Sequence, residues 1–150
     1  MHIWIDGDAC PKAIKEILFR AAIKRKVALY LVANHFVQLP SSPYIKRIMV
    51  SAGFDEADEY IVEHVQTNDL VITADIILAD KIISQKALAL NPKGTLYDKD
   101  NIKHILAMRN LNETLRSVGM IHSQTSKLSP QEIQMFSNHL DKILTHSERI

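Results

Sequence analysis

An α/β fold with a central, mainly parallel sheet covered by helices on both faces is what this sequence predicts, and two observations predict it. From the N-terminus to about residue 91, apolar runs of strand length alternate with segments of helical periodicity. The runs themselves, such as LVIT (70–73) and ALAL (87–90), are continuous rather than alternating, which is what strands buried on both faces require. A three-layer arrangement follows, with helices on either side of the sheet.

The elements follow in order. Residues 2–5 (HIWI) read as the first strand. Pro11 suits the first helical position, where its missing N–H is not needed, and Ile14, Ile17, Leu18, Ala21 and Ala22 then recur on one helix face to about Lys26. ALYLVAN (28–34) is the second strand and QLPSSP (38–43) a turn-rich connection. A third strand is expected at IMVSAGF (48–54), followed by a helix in DEADEYIVEHVQ (55–66), with Asp55 as N-cap and further acids in the first turn. DLVITAD (69–75), IILADKIISQ (76–85) and ALALN (87–91) continue as strand, helix and strand.

The remainder is helical. Residues 101–118 carry Ile105, Met108, Leu111, Leu115 and Val118 at helical spacing, and a polar connector over about 120–128 leads to a last helix over 129–146. Ser129, Pro130 and Glu132 spell a capping box at its start. Its stripe of Ile133, Phe136, Leu140, Ile143 and Leu144 suits packing either on the domain or on a second copy of the chain, so a homo-oligomer through this helix is one expectation. The chain reads as a single domain over 1–150, with a core over about 1–119.

Composition narrows the classes. With 47% hydrophobic and 23% charged residues the chain is an ordinary folded domain, and at 150 residues it can bury roughly 70% of the surface its unfolded form exposes. A net charge of +1 gives no overall field for polyanions, so any nucleic-acid surface must be a local patch. The single cysteine, Cys10, excludes an internal disulfide, and nothing in the sequence reads as a signal peptide or a membrane span, so a cytoplasmic location is expected.

The chemistry-bearing residues cluster at strand ends. In open parallel sheets, ligands bind outside the carboxyl ends of the strands. Strand one ends at Asp6 and Asp8, the second at Asn34, the third at Asp55, and the fourth at Thr73 and Asp75. Two carboxylates about 4 Å apart repel by roughly 4 kcal/mol at an effective dielectric near 20, so IDGD asks for a compensating partner. Asp58 shares a helix stripe with Ile61, Val62 and Val65, and a carboxylate on an apolar face is expected to be paired or to coordinate a metal. Asp6, Asp8, Asp55, Asp58 and Asp75 together make a hard oxygen site for Mg²⁺ or Mn²⁺, and the chemistry that uses such a site is phosphodiester hydrolysis.

The runs WIDGDACP, GFDEADEYIV, DLVITADIILAD, NPKG and NIKHILAMRNLNETLRSVG resemble the bacterial YaiI/YqxD family of uncharacterised proteins, over residues 3 to about 119 and in the same order. That resemblance implies a PIN-like domain, a class made up largely of metal-dependent nucleases. It matches Asp6 and Asp8 to the acid after the first strand, Asp55 and Asp58 to the central acids, and Thr73 with Asp75 to a T-x-D strand end. HSQTSK (122–127) departs from the glycine-rich, proline-containing stretch that the resemblance implies there.

The expectation is therefore a Mg²⁺- or Mn²⁺-dependent nuclease acting on RNA. Asp6, Asp58 and Asp75 are the catalytic candidates, all five aspartates the metal candidates, and Asn34, Thr73, Arg109 and Arg116 the substrate-binding ones. Rival readings are a non-catalytic RNA- or nucleotide-binding module and a phosphatase of small phosphoesters. Simpler roles stand beside these: Asp8 and Asp55 as helix caps, Arg109 and Arg116 as a solvated basic face, Asp69 and Asp80 as surface residues, and Cys10 as a packed small residue. NPKG lacks the glycine pattern of a P-loop, and the histidines lack zinc-ligand spacing.

Overall fold

Ile3 and Ile5 have no solvent exposure and Trp4 only 5%, because the strand that carries them lies mid-sheet with neighbours on both sides and helices on both faces. The structure, a computed structural model, describes residues 1–53, 56–117 and 127–148, with the side chains of 112–117 and 148 outside that description. Within it the chain runs β1 (His2–Asp6), α1 (Lys12–Arg25), β2 (Ala28–Ala33), β3 (Ile45–Met49), α2 (Glu56–His64), β4 (Leu70–Ile72), α3 (Ile76–Ser84), β5 (Leu88–Leu90), β6 (Leu96–Tyr97), α4 (Lys99–Ser117) and α5 (Pro130–Glu148). The strands form one sheet in the order β3-β2-β1-β4-β5-β6, parallel except for the antiparallel β5–β6 pair. The predicted α/β class and mainly parallel sheet are what the structure shows.

Side-chain alternation divides the core in two. Ile3 and Ile5 face a cluster built with Ile14, Leu18 and Ala22 of α1 and Phe136, Leu140 and Leu144 of α5. Trp4 faces the opposite cluster, with Ile61 of α2, Leu78 and Ile82 of α3, and Ile102 of α4. Helix α1 therefore covers one face, and α2 and α3 the other. The chain leaves β1 toward β2 and β3 on the first face and returns from β3 to β4 across the second, so the winding reverses between β1 and β4.

The last helix packs on the domain. Both arms of its capping box form, Glu132 N to Ser129 Oγ at 3.1 Å and Ser129 N to Glu132 Oε1 at 2.9 Å. Its apolar stripe is buried against α1, Arg25 reaches across to Asp141 and Thr145, and His139 Nδ1 meets the Gly94 carbonyl at 2.7 Å. Gly94 closes the Asn91–Gly94 turn between β5 and β6 with φ +101°, and a Cβ there would lie 2.8 Å from the Met135 Cβ. NPKG is thus a docking turn for α5.

Three expectations need correction. The third strand is Ile45–Met49 rather than 48–54: as an edge strand it exposes Lys46, Arg47 and Met49, so its composition lacks the apolar signature. Pro11 precedes α1 as its N-cap, and no side chain caps that helix, which removes capping of α1 as a role for Asp8. Asp69, expected at the surface, is only 4% exposed. Its carboxylate accepts from His2 N at 2.9 Å, Gln66 N at 3.0 Å and Trp4 Nε1 at 3.1 Å, tying the start of β1 to the start of β4. The two-residue strand β6 lies outside the sequence expectation because its apolar run is too short to register. Among the described residues no helix is long and apolar enough to cross a membrane.

Asp69→Ala removes a shared acceptor from three donors. The expected loss of stability is about 3 kcal/mol or more, read by urea unfolding. A loss under about 1 kcal/mol contradicts a buried structural carboxylate.

Candidate functional site

The reversal of winding opens a crevice between the carboxyl ends of β1 and β4, the position where open α/β sheets place their ligands. Asp6 is the last residue of β1, and the T-x-D segment Thr73–Asp75 follows β4 directly. Gly7 lets the chain leave β1 pressed against β2: its N–H donates to Val32 O at 2.8 Å, and a Cβ there would sit 2.5 Å from the Leu31 Cδ2 and 3.1 Å from the Ala33 Cβ. The glycine of IDGD is required by this close approach, and it holds Asp6 and Asp8 at the crevice mouth.

Asp6 is partly buried and accepts a hydrogen bond from the Asp8 N–H at 3.2 Å. Burial raises its pKa above the ordinary aspartate value, the Asp8 amide opposes that shift, and the charges of Asp8 and Asp75 add to it. The crevice therefore concentrates negative charge. Asp8 turns the other way: one oxygen accepts from Asn34 N at 3.2 Å, and the other meets His35 Nδ1 at 2.5 Å. Asn34, expected to bind substrate, contributes its backbone to fixing Asp8. His35 had no place in the sequence expectation, since only the pairing of β1 with β2 brings it to Asp8.

Asp75 is the N-cap of α3, its Oδ1 accepting from Ile77 N at 2.9 Å and Leu78 N at 3.2 Å. Thr73 is only 3% exposed, and its hydroxyl accepts the Asp75 N–H at 3.0 Å. Thr73, expected to touch substrate, positions Asp75 through this bond. On its outer side Asp75 opens onto a cleft of about 370 Å³ shared with Asp58, Glu59 and Glu63 of α2, Lys81 of α3 and Arg109 of α4. Asp75 thus stands between acids on two sides, with Asp6 in the crevice and Asp58 across the cleft.

Asp55 lies outside the described residues, as does the side chain of Arg116. Among the described residues no three of His, Cys, Asp and Glu converge tightly enough to enclose a metal ion. The donors near the crevice are carboxylate oxygens, and Mg²⁺ takes one or two of these and keeps water in its other positions, so Asp6 and Asp75 fit an open, water-rich site rather than a closed cage. Cys10 is buried beside them with its thiol pushed up to about 12 by desolvation, so it is a packed residue and not a nucleophile.

The family model described as "Uncharacterized BCR, YaiI/YqxD family" matches residues 4–146. The chain belongs to that family. A UPF0178 protein of Maridesulfovibrio salexigens is 56% identical over 147 residues, covering 98% of this chain and 97% of that protein. A UPF0178 protein of Colwellia psychrerythraea is 49% identical over 149 residues, covering 99% of each. Among solved structures, Rae1 (YacP) from Bacillus subtilis aligns with a TM-score of 0.45 and 14% identity, over 98% of this chain and 99% of that one. The family assignment agrees with the resemblance carried by WIDGDACP and DLVITADIILAD.

The raised Asp6 pKa has a consequence for stability. The folded chain binds this proton more tightly than the unfolded chain does, so ionised Asp6 opposes folding above its raised pKa, and the penalty fades as pH falls through that value. Asp6→Asn keeps the shape and removes the charge. Thermal unfolding is expected to show it more stable than the parent at pH 7, with the gap closing on acidification; a variant less stable at pH 7 contradicts this.

Proposed function

We propose that this protein is a Mg²⁺- or Mn²⁺-dependent nuclease that hydrolyses phosphodiesters of RNA at the crevice between β1 and β4. The observation that carries the reading is Asp6: a partly buried carboxylate at a topological switch point, crowded by the like charges of Asp8 and Asp75. A divalent cation is the partner that relieves that crowding, and the PIN-like class that the YaiI/YqxD resemblance implies points the same way.

Asp6 and Asp75 are the residues that would hold the cation, with Asp58 across the adjoining cleft and Asp55 a further acid that the family resemblance implies. A bound divalent cation supplies Lewis-acid activation of water and charge stabilisation on the leaving oxygen. The chain's own groups do the rest. Asp8 steadies Asp6 through its backbone N–H, and Thr73 and the first turn of α3 hold Asp75 from both sides. Asp58 faces Asp75 across the cleft, where a carboxylate orients attacking water, and Lys81 and Arg109 put positive charge on the cleft wall for the phosphate.

One observation favours a second reading. Without three converging ligands among the described residues, the same crevice also suits a module that binds RNA or a nucleotide without cutting it. A labelled panel of single-stranded RNA and DNA with Mn²⁺ separates the two, comparing the parent chain with Asp75→Asn. Asparagine caps a helix about as well as aspartate, so this substitution removes the charge and keeps α3. Cleavage that falls by about a hundredfold or more in the variant is expected. Binding without cleavage by the parent chain favours the module, and full activity in Asp75→Asn removes Asp75 from the reaction.

A further inference from the structure

Phe36 is 69% exposed, yet the chain around it is tied down. His35 contacts Asp8, and Val37 on the other side packs into the α1-side core. The ring itself is held by Arg47 of β3, whose guanidinium carbon lies 4.2 Å from the ring centroid and whose Nη2 donates to Val37 O at 2.9 Å. An aromatic ring fixed in place with one face toward solvent is preorganised for stacking.

The surroundings say what it would stack on. Charge divides between the two faces of the sheet at its carboxyl edge. The cleft on the α2 side is lined by Asp58, Glu59, Glu63 and Asp75 against Lys81 and Arg109, so acids outnumber bases there. The α1 side carries Lys12 and Lys15 beside Glu16, in a groove bounded by Val37–Pro40 that begins one residue past Phe36. Lys15 also reaches the Gly7 carbonyl at 3.4 Å, so this groove runs up to the IDGD turn. Arg47 lies on the same side, sharing its face of β3 with the buried Ile45. β3 stands two strand spacings from β1, about 10 Å, so the platform lies near the acidic crevice.

We propose that Phe36, backed by Arg47, is a stacking platform for an unpaired base of a single-stranded nucleic acid whose backbone runs along the α1 side past Lys12 and Lys15. The proposal rests on the nuclease reading of the crevice and adds to it a class of substrate, unpaired rather than duplex, and a direction of approach. Stacking supplies sequence-tolerant affinity, and the lysines supply its salt dependence.

The test is fluorescence anisotropy of a labelled single-stranded RNA with the full chain in EDTA, so that no turnover occurs, comparing the parent with Phe36→Ala and Phe36→Trp. Phe36→Ala is expected to lose about fivefold or more in affinity with unchanged thermal unfolding, while Phe36→Trp binds and its indole emission is quenched by the RNA. Trp4, 5% exposed, supplies a constant background. Parent-like binding by Phe36→Ala, an equal loss for a duplex, or no binding by the parent chain overturns the platform. Failure of the two readings is distinguishable. Cleavage that is indifferent to Phe36→Ala keeps the acidic site and removes the platform, whereas Phe36-dependent binding with no cleavage under Mn²⁺ keeps the platform and removes the nuclease.

Discussion

The cost of ionising Asp6, partly buried where β1 and β4 part and faced by the charges of Asp8 and Asp75, is the constraint on which the candidate site depends. A parallel sheet whose winding reverses at its centre leaves a crevice there, since crossovers depart on opposite faces and nothing covers the strand ends between them. In this chain Asp6 and Asp75 occupy that gap, where burial and the charges of Asp8 and Asp75 add to the cost of ionising Asp6. The surrounding sequence serves to hold them together despite it: Gly7 permits the close passage against β2, the Thr73 hydroxyl fixes Asp75, and two amides of α3 donate to its carboxylate. Asp69 does related work at the opposite end, pinning the start of β1 to the start of β4 so that the strand ends stay in register.

Each acid is therefore placed by a structural device and also serves as a candidate ligand. Asp75 stabilises the fold as an N-cap, whereas ionised Asp6 opposes folding, chiefly because burial strips it of water. Retaining a charge that opposes folding is what the proposed cation site requires of Asp6. The same logic applies at the surface, where Arg47 holds an aromatic ring against solvent while His35 and Val37 anchor the chain to either side.

Much of this was legible in the sequence because strands buried on both faces leave continuous apolar runs, and β1, β2, β4 and β5 all do. The edge strand β3 exposes Lys46, Arg47 and Met49 and so lacks a continuous apolar run, which set its expected start three residues late, and the short β6 left no pattern. The site residues were legible as polar groups at strand ends. Their grouping was not, because it depends on strand order: only a sheet with β1 beside β4 sets Asp6 near Asp75 and leaves Asp58 across a separate cleft. Asp69 looked like a surface acid because its three donors come from residues 2, 4 and 66. Phe36 and His35 carried no signal of their own; the first needs the β2–β3 register that brings Arg47 near, the second the β1–β2 pairing.

The central claim is that the crowded carboxylates are a cation site. Thermal unfolding of the parent chain and of Asp6→Asn across a titration of Mn²⁺ tests it without any assumption about substrate. A cation that binds the folded chain at Asp6 raises the unfolding temperature of the parent progressively with concentration. The account predicts that this rise is lost or much reduced in Asp6→Asn. Equal rises in the two proteins, or none in either, contradict it.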